Sequence, residues 1–108
     1  MDAHLVANRF GALAQTTRLN ILRQLAAAGP DGLPAGELAN LTKVPASTLS
    51  FHLKELTRNG LITSERQGRL IVYRADIPSL RGLARMLEDD FSEVNVDLTQ
   101  TSGRPSPR

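Results

Sequence analysis

Apolar positions recur at helical spacing along most of the chain and give way to strand-like runs only once. Leu5, Phe10 and Leu13, with alanines between them, predict an amphipathic first helix over 4–14. Gln15-Thr16-Thr17 interrupts it, and the hydroxyl of Thr16 or Thr17 suits the cap of a second helix. Leu19, Ile21, Leu22, Leu25 and Ala26 give that helix an apolar face, which ends at Gly29-Pro30. Pro34 fits the first turn of a short third helix with Leu38, Ala39 and Leu41 facing inward. Thr42-Lys43-Val44 forms a break, Pro45 opens a fourth helix, and Asn59-Gly60 closes it. Two short helices joined by a tight turn make a helix-turn-helix.

Within the fourth helix, Leu49, Leu53 and Leu56 recur at i, i+4, i+7 and share one buried stripe. Ser47, Thr48, Ser50 and Lys54 fall outside that stripe, near the start of the helix, where short polar chains suit a major groove. Residues 61–66 and 70–74 are two β-prone runs separated by Gln67-Gly68-Arg69, which predicts a hairpin wing with Arg66 and Arg69 at its tip. Leu80, Leu83, Leu87 and Phe91 then form a stripe on a last helix opened by Pro78. The expected fold is mainly α with a β-hairpin wing, a winged helix-turn-helix of order ααααββα. Residues 1–91 form its single domain. From Ser92 the chain is polar and too poor in apolar area to offset chain entropy, so 92–108 is expected to be a flexible polar tail.

The net charge of +2 carries little information until it is divided along the chain. Residues 1–42 balance. Residues 43–74 hold six bases (Lys43, Lys54, Arg58, Arg66, Arg69, Arg74) against Glu55 and Glu65, a surplus of four, and residues 75–98 hold two bases against six acids. A basic middle and an acidic end suit a polyanion bound by one face only. The chain contains no cysteine, which excludes disulfides and thiolate metal sites. It shows no signal-peptide pattern and no apolar run of bilayer length, so a soluble, cytoplasmic protein without membrane contact is expected. No serine elbow, phosphate loop or cysteine nucleophile is present and the two histidines are far apart in sequence, so neither an enzyme nor a cofactor is expected. Glu88-Asp89-Asp90 with Glu93 lacks calcium-loop spacing and reads as a solvated acidic face.

The element order and several motifs resemble the ArsR/SmtB family of bacterial winged-helix repressors over roughly residues 10–91. Leu13 to Leu22 matches the family pattern L-x-x-x-x-R-x-x-I-L at the start of the second helix, and Ser47 to Leu56 is similar to its recognition helix. Asn59-Gly60-Leu61-Ile62 and Gly68 to Arg74 resemble its helix-to-strand junction and wing. The resemblance implies a homodimeric repressor of double-stranded DNA that an inducer releases, dimerised through the first and last helices. That assigns Leu5, Phe10, Leu80, Leu83, Leu87 and Phe91 to the subunit interface; on the residues alone, the last four serve a core equally well. The cysteines of the family's arsenic and cadmium sensors and the histidine of its last-helix zinc and nickel sites have no counterpart here, so no metal site is inherited and the inducer is unknown.

Ordinary capping and exposure would account for Ser47, Thr48 and Ser50, but the helix-turn-helix context favours DNA contact. Hydroxyls place a helix more than they identify a base. Specificity is therefore expected from shape, from thymine methyl contacts, and from Gln67 and Arg69 in the wing. His52 suits packing or surface, and the family pattern implies that it helps hold a phosphate; a phosphate favours its charged form, so operator affinity should then rise as pH falls. Lys43, Lys54, Arg66 and Arg69 complete the expected contact set on the strength of their clustering. Two-fold symmetry implies a pseudo-palindromic operator. The competing reading is a winged-helix module whose basic helix docks an acidic protein surface.

Overall fold

The structure, a computed structural model, describes residues 2–102, with side chains through residue 92. Helix α1 (Ala3–Leu13) is capped by Asp2, whose carboxylate accepts from the backbone N–H of His4 at 2.6 Å. Helix α2 (Thr16–Ala28) is capped by the Gln15 side chain, which accepts from Arg18 N–H, rather than by either threonine hydroxyl. Its buried residues are Ile21, Leu22 and Leu25. Leu19 is 41% exposed, since at about 100° per residue it lies some 120° around the helix from Leu25.

A 3-10 turn (Gly29–Asp31) leads into β1 (Leu33–Pro34), a two-residue strand whose Leu33 and Pro34 pair antiparallel with Tyr73 and Val72 of the later hairpin. Pro34 is therefore the last residue of a strand and the cap position before α3 (Ala35–Thr42), not part of the helix's first turn. Leu38 of α3 is fully buried, whereas Leu41, expected to face inward, is half-exposed. The turn to α4 (Ala46–Arg58) passes through Lys43, the only non-glycine residue with positive φ (60°) among those described. At the other end of α4, Gly60 N–H donates to Thr57 O and Leu61 N–H to Leu56 O, both at 3.0 Å. That bond pair, with Gly60 at φ +73°, is a Schellman C-cap.

Strands β2 (Ile62–Gln67) and β3 (Leu70–Ala75) pair from Ile62↔Ala75 to Gln67↔Leu70, so the hairpin loop is only Gly68-Arg69. Positive φ at Gly68 but not at Arg69 matches a type II′ turn. The sheet order is β1-β3-β2. Helix α5 (Ile77–Ser102) starts where the Asp76 carboxylate accepts from Ser79 N–H at 3.2 Å. Its backbone leaves helical geometry at Phe91 (φ −121°, ψ 16°), and the helix resumes after it as far as Ser102. Residues 103–108 lie outside the described residues.

The core joins Ala12 of α1, Ile21, Leu22 and Leu25 of α2, Leu38 of α3, Leu49, Leu53 and Leu56 of α4, Leu61 and Ile62 at the root of the hairpin, and Leu83 of α5. Leu83, at 3% exposure, thus belongs to the subunit's own core and not to an outer seam. Phe10 and Leu80 are half-buried against the same cluster. Leu5, Leu87 and Phe91 remain 41–52% exposed, so the apolar stripe of α5 splits between core and surface. No helix among the described residues is long and apolar enough to cross a membrane.

Candidate nucleic-acid interface

Helix α4 buries Leu49, His52, Leu53 and Leu56 and presents Ser47, Thr48, Ser50, Phe51 and Lys54 to solvent. The buried set is i, i+3, i+4, i+7, the full apolar stripe of a packed helix. His52 belongs to that stripe by spacing, a signal the leucine positions alone obscure. It is 6% exposed, and Arg18 of α2 donates from Nε to its Nδ1 at 3.1 Å. With Nδ1 accepting, the ring proton sits on Nε2.

This corrects the expectation that His52 lies against a phosphate: the imidazole fills the joint between α2 and α4 instead. Burial, and next the Arg18 guanidinium, hold its pKa below the usual 6.5. The folded protein therefore favours the neutral ring, a contribution that is complete above pH 6.5 and is lost as pH falls through that value towards the lowered folded pKa. Thermal stability is expected to drop between about pH 7.5 and 5.5 more steeply for the wild type than for His52→Gln. Parallel melting profiles of the two proteins would show that the ring is solvated.

The six bases of residues 43–74 divide into two kinds. Arg58 pairs with Glu55 one helical turn away at 2.6 Å, and its hydrogen bond holds the Glu55 carboxyl below the usual carboxylate range. Arg74 reaches Glu65 across the hairpin at 2.9 Å and also donates to Pro30 O at 2.6 Å. Each of the segment's two acids is thereby matched, and the surplus of four resides on Lys43, Lys54, Arg66 and Arg69, all exposed. Lys43 stands at the turn before α4 and Lys54 midway along it; Arg66 and Arg69, with exposed Gln67, stand at the hairpin tip.

Between α4 and the hairpin lies a shallow groove of about 390 Å³, lined by Ser50, Leu53, Lys54, Thr57, Arg58, Ser64 and Tyr73. Arg9 of α1 donates from Nε to Asn59 O at 3.0 Å, tying the far end of α4 to the first helix. Arg9 does not stand out from sequence, and Arg18 does so only as the arginine of the family pattern, because a single basic residue on a helix gives no periodic signal of the carbonyl or ring it will meet. Among the described residues, no group of three or more His, Cys, Asp or Glu is placed to hold a metal ion.

An outward helix bearing hydroxyls and cations beside a basic hairpin is the geometry of a major-groove reader. Residues 13–65 match the helix-turn-helix domain family. The chain is 40% identical over 90 residues to the HTH-type transcriptional regulator YgaV of Escherichia coli K12, covering 83% of this chain and 89% of that one. Its fold is similar to that of an ArsR-like transcriptional regulator from Rhodococcus sp. RHA1, with a TM-score of 0.75, 33% identity and coverage of 92% of this chain and 91% of the other. It is also similar to the homodimeric winged helix-turn-helix DNA-binding domain of Mb0332 from Mycobacterium bovis, with a TM-score of 0.65, 31% identity and coverage of 83% of both chains. On its fold, its motifs and these likenesses, the chain belongs to the ArsR family of winged helix-turn-helix transcriptional regulators.

Proposed function

We propose that this protein is a homodimeric repressor that binds a pseudo-palindromic operator in double-stranded DNA and is released from it by an inducer. The observation that carries this reading is the placement of the unmatched positive charge. Lys43, Lys54, Arg66 and Arg69 are exposed on α4, its preceding turn and the adjoining hairpin, while the acids of α5 (Glu88, Asp89, Asp90) belong to a different element. Helix α4 enters the major groove with Ser47, Thr48, Ser50 and Lys54 towards the duplex, and the Gly68-Arg69 turn carries Arg66, Gln67 and Arg69 to the flanking backbone. Exposed Leu5, Leu87 and Phe91 on the first and last helices form the subunit contact, a reading supported by the homodimeric state of the similar Mb0332 domain.

Footprinting of the purified protein on genomic DNA tests the reading. Two protected half-sites about one helical turn apart are expected. Protection of a single asymmetric site, or none, overturns it. Each phosphate that a cation neutralises steepens the log-log salt dependence of binding by about 0.9. Arg69→Ala is accordingly expected to flatten the slope by about that amount per subunit and to weaken all sequences alike. An unchanged slope would take the hairpin off the DNA.

A further inference from the structure

We propose that Phe51 is the specificity-determining residue of α4 and that its ring docks on the 5-methyl group of thymine in the major groove. The inference rests on the DNA-binding reading above and deepens it. At 56%, Phe51 is the most exposed large hydrophobic side chain among the described residues, and it lies on the face of α4 turned away from the core. Of its neighbours one turn away, Ser47, Thr48 and Lys54 are exposed and polar, and Glu55 is half-buried and neutralised by Arg58. The patch is thus one apolar ring framed by groups suited to phosphates, rather than the broad apolar face a protein partner needs.

The ring is also held in place. The Arg18 guanidinium carbon stands 5.7 Å from its centroid, and the His52 imidazole meets it edge-on, with centroids 5.8 Å apart and planes at 65°. Arg18 and His52 are themselves joined by the 3.1 Å hydrogen bond, so two buttresses rooted in the α2–α4 joint orient an aromatic surface outward. Positions 46–53 contain no Arg, Asn or Gln, the side chains that read base edges in pairs of hydrogen bonds. The hydroxyls of this stretch serve either base type, so what remains there for readout that distinguishes one base is apolar contact, and thymine is the base that offers a methyl in the major groove.

Replacing operator thymines one at a time with deoxyuridine removes that methyl and leaves pairing intact. Wild-type affinity is expected to fall about fourfold per half-site at one thymine position, the equivalent of burying one methyl group. Phe51→Ala should bind the thymine operator more weakly and lose that preference, while Phe51→Leu should retain part of it. Because more than half of the side chain is exposed, both variants are expected to fold, with melting lowered by only a few degrees through the lost contacts with Arg18 and His52. Equal wild-type binding of thymine and deoxyuridine duplexes at every position would overturn the proposal, as would a Phe51→Ala protein that keeps the full preference. An intact footprint without methyl preference sinks this inference alone. Absence of any footprint sinks the regulator reading with it.

Discussion

Changing Leu87 and Phe91 together to aspartate is expected to leave a folded subunit that no longer dimerises and binds its operator about 10²–10⁴-fold more weakly. Both side chains lie about half in solvent on α5, so the substitutions remove no core contact of the subunit. Two joined reading helices engage two half-sites as one intramolecular event, and separating the subunits forfeits that effective concentration. Carboxylates placed where two apolar surfaces meet also carry an uncompensated desolvation cost. Light scattering after size-exclusion chromatography, a thermal melt and an operator titration together check the expectation. A variant that stays dimeric, or a monomeric one that binds as tightly as the wild type, would show that α5 is not the subunit contact. Leu83→Asp, on the same helix at 3% exposure, is expected instead to unfold the chain.

Gly32→Ala is expected to be strongly destabilising. Gly32 links the 3-10 turn to β1 at φ +68°, ψ −170°, a region essentially reserved for glycine. A Cβ there would run into the Tyr73 carbonyl oxygen and stand 2.8 Å from Arg74 Cγ and Val72 Cγ1. The obstruction includes backbone, and that backbone is held because Leu33, the next residue, pairs with Tyr73. Backbone conformation and overpacking together suggest a loss of roughly 2–5 kcal/mol. At about 4–8 °C per kcal/mol for a domain of this size, melting should fall by about 8 °C or more. Gly68→Ala provides the control, since its Cβ meets nothing within 4 Å and only the positive φ opposes it, at about 1–2 kcal/mol. Equal urea midpoints for the two variants would refute the role given to the β1–β3 junction.

Much of this architecture is legible in the sequence because its signals are local. Pro45, the leucines of α4 and the Asn59-Gly60 stop delimit the reading helix to within a residue, and glycine between two β-prone runs locates the hairpin. Strand β1 is not legible. Two residues ending in proline have no strand signal of their own, and Leu33–Pro34 is a strand only because β3 lies alongside. The Gln15 cap is missed for a similar reason: the adjacent threonines are the stronger capping residues by type, and geometry selected the amide.

The contact surface divides in the same way. Exposure of Ser47, Thr48, Ser50 and Lys54 follows from helical period, as does the clustering of unmatched cations from their order in the chain. His52 and Leu83 do not follow. Each lies on a stripe that serves equally as core or as contact surface, and the choice depends on which neighbouring helix covers it.

By itself, then, the order of residues determined the elements, the charge asymmetry and the motifs of the family, since these depend on neighbours within a few positions. Only the tertiary structure decided that His52 is a buried acceptor for Arg18, that Arg9 holds the end of α4, and that Arg58 and Arg74 have carboxylate partners while Lys43, Lys54, Arg66 and Arg69 have none among the described residues. The Arg9, Arg18 and Arg74 contacts join residues 50, 34 and 44 positions apart, and no local pattern in a chain encodes which distant groups will be brought within hydrogen-bonding distance.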